Sequence, residues 1–164
     1  MPLREPWLRG PLPNTNPLLN PALRALEQVL EDLPRFTAGL TTVQLWTTHG
    51  ACAPAGFHLQ HIAGSVDRLS TYLRGEALSE AQLAALANEQ HAGAEADDLL
   101  AAATGAITAA MAQIRELRES EFTENRFVGR ARVPVTALGL AFHIAEHTQR
   151  HLGQLIVLCR LARG

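Results

Sequence analysis

Lysine is absent: all 14 basic residues of the 164-residue chain are arginine. That excludes Schiff-base chemistry on a lysine, and it excludes the P-loop. Cysteine is scarce. Cys52 and Cys159 stand far apart in no CxxC pair, so both are read as reduced, small, buried hydrophobes. No apolar run is long enough to cross a membrane. The first residues, Met1-Pro2-Leu3-Arg4-Glu5-Pro6, lack the charged start and apolar core of a signal peptide. The expectation is a soluble cytoplasmic protein without a membrane partner. Excess positive charge is missing as well. With 16 acidic residues the net charge is -2, so nucleic acid is not an expected partner. The motifs ExxH, HExxH, GxSxG, CxxCH and GxGxxG are all absent, which disfavours di-iron carboxylate, zincin, serine-hydrolase, c-type haem and dinucleotide chemistry.

What is present is apolar and alanine-rich. Apolar residues make up 47% and charged residues 18%, with 27 alanines and aromatics at 5%. This is the composition of one globular, mostly helical domain. Residues 1–16 read as a proline-rich, non-helical arm, with Trp7 and Leu12 as candidates to pin it to a domain over residues 17–164. No convincing strand appears.

Four long amphipathic helices can be placed. The first starts with Asn20 as N-cap and Pro21 at the first helical position, and carries a seam of Leu19, Leu23, Leu26, Leu30 and Leu33. Pro34 kinks or ends it. Thr37–Pro54 reads as a connection with one short turn. The second helix runs from about Pro54 to Leu73, with Arg74-Gly75 closing it. Ser79-Glu80-Ala81-Gln82 has the form of a capping box opening a short helix to about Ala87. The third long helix covers about Glu89–Glu119. Residues 120–133 read as a loop holding Arg126, Arg130 and Arg132. The fourth starts at Pro134 or Thr136 and reaches about Leu161. The fold class is all-α, a four-helix bundle with crossover connections.

The fourth helix carries the chemical signal. Its seam reads Leu140, Ile144, His147, His151, Gln154, Leu158, Leu161, so three polar residues interrupt an apolar stripe. Buried polar groups are costly unless partnered. His147 and His151, four apart, share one face and can bind one metal ion. His143 lies about 12 Å along the axis from His151 and cannot share that ion. A third ligand must come from another helix. The second helix offers His58 and His61, and periodicity favours His58 by a small margin. His49 and His91 fall in or near loops. Gln154 is read as a hydrogen-bonding support, Gly153 as a point of close approach, and Asp67-Arg68 as a surface ion pair. Glu146 is read as a surface residue. Arg130, freed by Gly129, is the best of the three loop arginines for clamping an anion.

The stretch His147-Thr148-Gln149-Arg150-His151-Leu152-Gly153-Gln154 resembles the HxxxHxGQ pattern of the DinB/YfiT-like superfamily. The stretch His61-Ile62-Ala63-Gly64-Ser65-Val66-Asp67-Arg68-Leu69 resembles its second-helix segment. The resemblance extends over about residues 17–162. It implies His61 rather than His58 as the third ligand, so that His61, His147 and His151 hold a divalent ion, zinc or nickel, with positions left open. It also implies an enzyme that transfers a low-molecular-weight thiol such as mycothiol, bacillithiol or glutathione to an electrophilic small molecule, or that performs metal-assisted hydrolysis. Arg130 and Gln154 are then candidates to support catalysis. A homodimer is implied too. The alternative is a non-catalytic bundle, a ligand-binding or stress-associated interaction protein whose metal site is structural.

Overall fold

A computed structural model describes residues 4–164; Pro2, assigned above to the arm, lies outside them. Four long helices form the bundle: α1 (Asn20–Thr37), α3 (Ala55–Leu73), α5 (Ala96–Arg115) and α6 (Ala137–Leu161). Two short helices, α2 (Thr42–Trp46) and α4 (Glu80–Asn88), lie in the connections on either side of α3. Around the bundle α1 packs on α6, α6 on α3, α3 on α5, and α5 on α1. The links from α1 to α3 and from α5 to α6 therefore cross diagonals, which is the expected crossover arrangement. Leucine, isoleucine, valine and alanine from all four helices fill the core.

Several local expectations change. Trp7 is 68% exposed and does not pin the arm. Pro6 is buried in a 3-10 turn over Pro6–Leu8, and Leu12 packs against the core. Arg9 ties the arm to α1 through Glu31 Oε2 at 2.8 Å and Glu27 Oε1 at 3.1 Å. Asn20 does not cap its own helix. Its Oδ1 accepts from the Leu12 amide at 3.1 Å, so the side chain anchors the arm instead. The helix continues through Pro34 to Thr37. The third long helix starts at Ala96 rather than Glu89, because Gly93 has a positive φ of 127°, and glycine there permits a turn other residues resist.

The loop expected at residues 120–133 contains a strand. β1 (Asn125–Val128) pairs antiparallel with β2 (Val133–Thr136). The pairing is only four residues long and half exposed, so no alternation of apolar and polar residues announces it. Thr136 ends β2 and caps α6, its Oγ1 accepting from the Gly139 amide at 3.1 Å. Thr136→Ala is expected to lower stability by about 1 kcal/mol, the usual worth of such a cap. Urea unfolding at neutral pH checks it.

Candidate metal centre

The buried stripe of α6 is wider than the seam read from sequence and centred one residue over. It comprises Ala137, Leu140, Ala141, Ile144, Ala145, Thr148, Leu152, Leu155, Leu158 and Cys159. The helix contacts both α1 and α3, so one 4-3 stripe describes only part of what it buries. His147 and His151 therefore sit half-buried at the edge facing α3. Gln154 and Leu161, expected inside, are exposed.

One ligand nitrogen from each of His61, His147 and His151 can be chosen so that all lie within 4.8 Å of one another, a grouping that could hold a metal ion. His61 Nε2 and His147 Nε2 are 3.0 Å apart. That fits within the roughly 4 Å that two bonds of about 2.0–2.1 Å to one cation can span. His58 is not in the group. It is buried on α3, and its Nδ1 is 3.0 Å from His151 Nδ1. That contact occupies one nitrogen of His151 and leaves Nε2 free to ligate. His143 also stays outside, held by Glu146 through its Nδ1 at 2.7 Å. Glu146 binds Arg150 as well, at 2.6 Å, in keeping with a surface role.

Sequence reasoning missed Glu89. Its Oε2 lies 2.9 Å from His61 Nδ1, and its Oε1 accepts from Arg68 Nη2 at 2.9 Å. A carboxylate accepts only, so His61 carries its proton on Nδ1 and presents a lone pair on Nε2. A ligand histidine held by a carboxylate in this way is fixed in both tautomer and orientation. Glu89 is 6% exposed and Arg68 8%, so Arg68 is not half of a surface pair with Asp67, which instead accepts from Gln82. Burial pushes the Glu89 carboxyl up, but hydrogen bonds from His61 and Arg68 outweigh it and hold the group below the usual carboxylate range. The loop carrying Glu89 is pinned further along, where Trp46 Nε1 of α2 donates to Ala94 O at 2.9 Å. Glu89 sits just beyond α4, with no ligand-like spacing to any histidine, so only the fold could reveal it.

Gly64 makes room for the pair. A Cβ there would lie 2.6 Å from Glu89 Oε1 and 2.7 Å from Arg68 Nη1. Gly64→Ala is expected to displace both side chains and to cost about 1–3 kcal/mol, despite alanine's better helix propensity. A lower thermal midpoint with weaker metal binding is the expected result. A more stable variant would contradict this packing.

The cluster is electrostatically set for neutral ligands. Burial and the nearby His61 ring lower His58 and His147 below their ordinary value. The same effects, with His147 and His58 added, lower His151 from 6.5 to about 4. Neutral imidazoles bind metal without first losing a proton. In the metal-free protein the unfolded chain binds more protons than the folded one between these two values. Stability therefore falls as pH is lowered from about 6.5 towards 4. Urea midpoints at pH 7 and pH 5 test this: the drop should be larger in wild type than in His151→Ala.

The remaining candidates lie elsewhere. Arg130 is on the hairpin and lines a cleft shared with Tyr72, near the far end of α3; Tyr72 is about 16 Å along the helix from His61. Gln154 lies one turn beyond His151 and lines a cleft rather than a helix contact. Gly153 has nothing within 4 Å of its would-be Cβ, so no helix approaches it closely. Cys159 is buried as expected, but Cys52 is exposed. Among the described residues, no helix is long and apolar enough to cross a membrane.

The sequence matches the family described as the DinB superfamily over residues 25–155. No curated protein matches the chain.

Proposed function

Since the chain belongs to the DinB superfamily, we propose that it is a divalent-metal-dependent enzyme with an open three-histidine site, acting in the cytoplasm on a small electrophile. The observation that carries this reading is the group of three half-buried, closely spaced imidazoles. His61, His147 and His151 would hold zinc or nickel. Such an ion, when bound, lowers the pKa of a thiol or water towards neutrality.

The chain's own residues do the arranging. Glu89 keeps the His61 proton on Nδ1. His58 faces Nδ1 of His151 and so fixes that ring's direction. His58 uses Nδ1 in that contact and stands outside the ligand group, which favours three protein ligands over a closed set of four. Three ligands with positions left over suit catalysis better than a structural site. The reaction that fits is transfer of a low-molecular-weight thiol to an electrophile, with metal-assisted hydrolysis as the neighbouring chemistry. A homodimer is part of the proposal; Phe142 of α6, 60% exposed, is an apolar side chain such an interface would cover.

The test is a metal-dependence assay. Zinc- and nickel-loaded protein is incubated with mycothiol, bacillithiol or glutathione and an aryl halide, and with an ester. Turnover that requires the metal and vanishes in His151→Ala supports the reading. No turnover above the metal-free control with any pair overturns the catalytic reading in favour of a non-catalytic bundle.

A further inference from the structure

The geometry points to a second binding site, at the hairpin end of the bundle and apart from the histidines, for a small organic anion with an apolar body. It does not rest on the metal-centre reading. A cleft of about 490 Å³ is lined by the end of α3, the segment leading into α4, and the hairpin. That volume is within the range of pockets that enclose small ligands. Tyr72, Leu78, Leu83 and Phe127 supply its apolar surface, and Arg126, Arg130 and Arg132 border it.

The three arginines are not alike. Arg126 is a fixed part of the wall. Its Nε donates to Leu73 O at 2.8 Å and its Nη1 to Glu124 Oε2 at 3.1 Å, and its side chain is 11% exposed. Arg130 and Arg132 are exposed, and among the described residues neither guanidinium makes an ion pair or a hydrogen bond. The acidic side chains around them are taken. Glu121 and Glu124 hold Arg126, and Glu121 holds Arg118 as well. Glu76, the one carboxylate in the cleft's lining, accepts from Arg74 Nε at 2.8 Å. The cleft therefore carries two uncompensated cations and no free carboxylate. A guanidinium's fork of donors matches a carboxylate or phosphate head.

Arg132 supplies a separate observation. Its φ is 48°, in the left-handed region that residues other than glycine, asparagine and aspartate enter at a cost. Its amide closes the hairpin turn on Gly129 O at 3.0 Å. A glycine at this position would close the same turn without that cost. The arginine instead stacks on Phe127, with Cζ 4.6 Å from the ring centroid, so its charge is held against the apolar surface. A strained backbone kept at a position whose side chain lines a cleft is a pointer to function. The ligand follows from both features. An inorganic anion would leave the apolar surface bare, and a neutral hydrocarbon would leave the two charges unused.

The experiment is calorimetric titration with 2-naphthoate, its neutral counterpart 2-naphthamide, and acetate. The full chain is used as wild type, with and without zinc, and as Arg130→Gln and Arg132→Gly. Wild type should bind 2-naphthoate about tenfold or more tighter than either the amide or acetate, and equally with and without zinc. Each variant should weaken 2-naphthoate about tenfold, the factor for losing a hydrogen bond to a charged group, and leave the amide unchanged. Arg132→Gly relieves the backbone, so its thermal midpoint should stay close to that of wild type. Binding of 2-naphthoate no tighter than the amide overturns the proposal, as does full affinity in both variants. Binding that requires zinc places the anion at the metal centre and overturns it too. A fall of more than about 4 °C in the Arg132→Gly midpoint would show that the arginine serves the hairpin rather than a ligand. A protein that takes up no zinc removes the metal-centre reading and leaves this test intact.

Discussion

His147→Ala is expected to lower zinc or nickel affinity by at least about 100-fold, more than is usual for losing a residue that only orients a ligand. His147 Nε2 lies 3.0 Å from His61 Nε2, so removing it takes one of three nitrogens from a site with no fourth protein ligand in the group. The effect should separate cleanly from folding. The ring is half-buried at the edge of α6, and its deletion relieves crowding among neighbouring imidazoles, so metal-free stability should change little. Wild type should gain about 2.7 kcal/mol when free metal is at 100 times Kd; the variant should gain almost nothing. Urea unfolding with and without zinc reads both quantities. A variant that is still stabilised by zinc as strongly as wild type would remove His147 from the site.

Glu89→Ala should have the second large effect, on two properties at once. Its carboxylate compensates Arg68 in a buried pair at 2.9 Å. Removing it leaves a buried, unpaired guanidinium, which typically costs about 3–5 kcal/mol. It also frees the His61 ring, and loss of such a partner typically weakens metal binding about 10–100-fold. The two losses can be told apart. Glu89→Ala combined with Arg68→Leu removes the orphaned charge and should recover much of the stability, because apolar replacement of a buried pair is often neutral. It should not recover metal affinity, since His61 Nδ1 still lacks its carboxylate. Full recovery of both would mean that Glu89 only balances Arg68. The unfolding midpoint and a zinc competition titration give the two numbers.

The parts legible in the sequence are those governed by periodicity and strong local signals. Leucine steps of four and three placed α1, and the Ser79–Gln82 capping box placed α4, whose side-chain and backbone bonds are both present. The paired histidines of α6 were visible as polar breaks in an apolar stripe. Choosing His61 over His58 was not a matter of periodicity, because both positions of α3 face neighbours. His58 is the more deeply buried of the two, yet it meets His151 only through that ring's Nδ1 and stands outside the group. The apolar face of a helix marks depth, whereas all three histidines of the group are half-buried. Glu89 and Arg68 were hidden because their contact joins residues 21 positions apart through a loop whose path local sequence does not set. The hairpin was missed because its eight residues are short, exposed and weakly alternating.

The central claim is that His61, His147 and His151 hold one divalent ion. Elemental analysis of untagged protein purified without a nickel column tests it most directly, alongside His61→Ala, His151→Ala and His58→Ala. The account predicts about one metal per chain in wild type, lost in His61→Ala and His151→Ala and kept in His58→Ala, as expected of a site with three histidine ligands. Wild-type protein that holds no metal, even after zinc or nickel is added, would contradict it and leave a helical bundle whose histidines serve only one another.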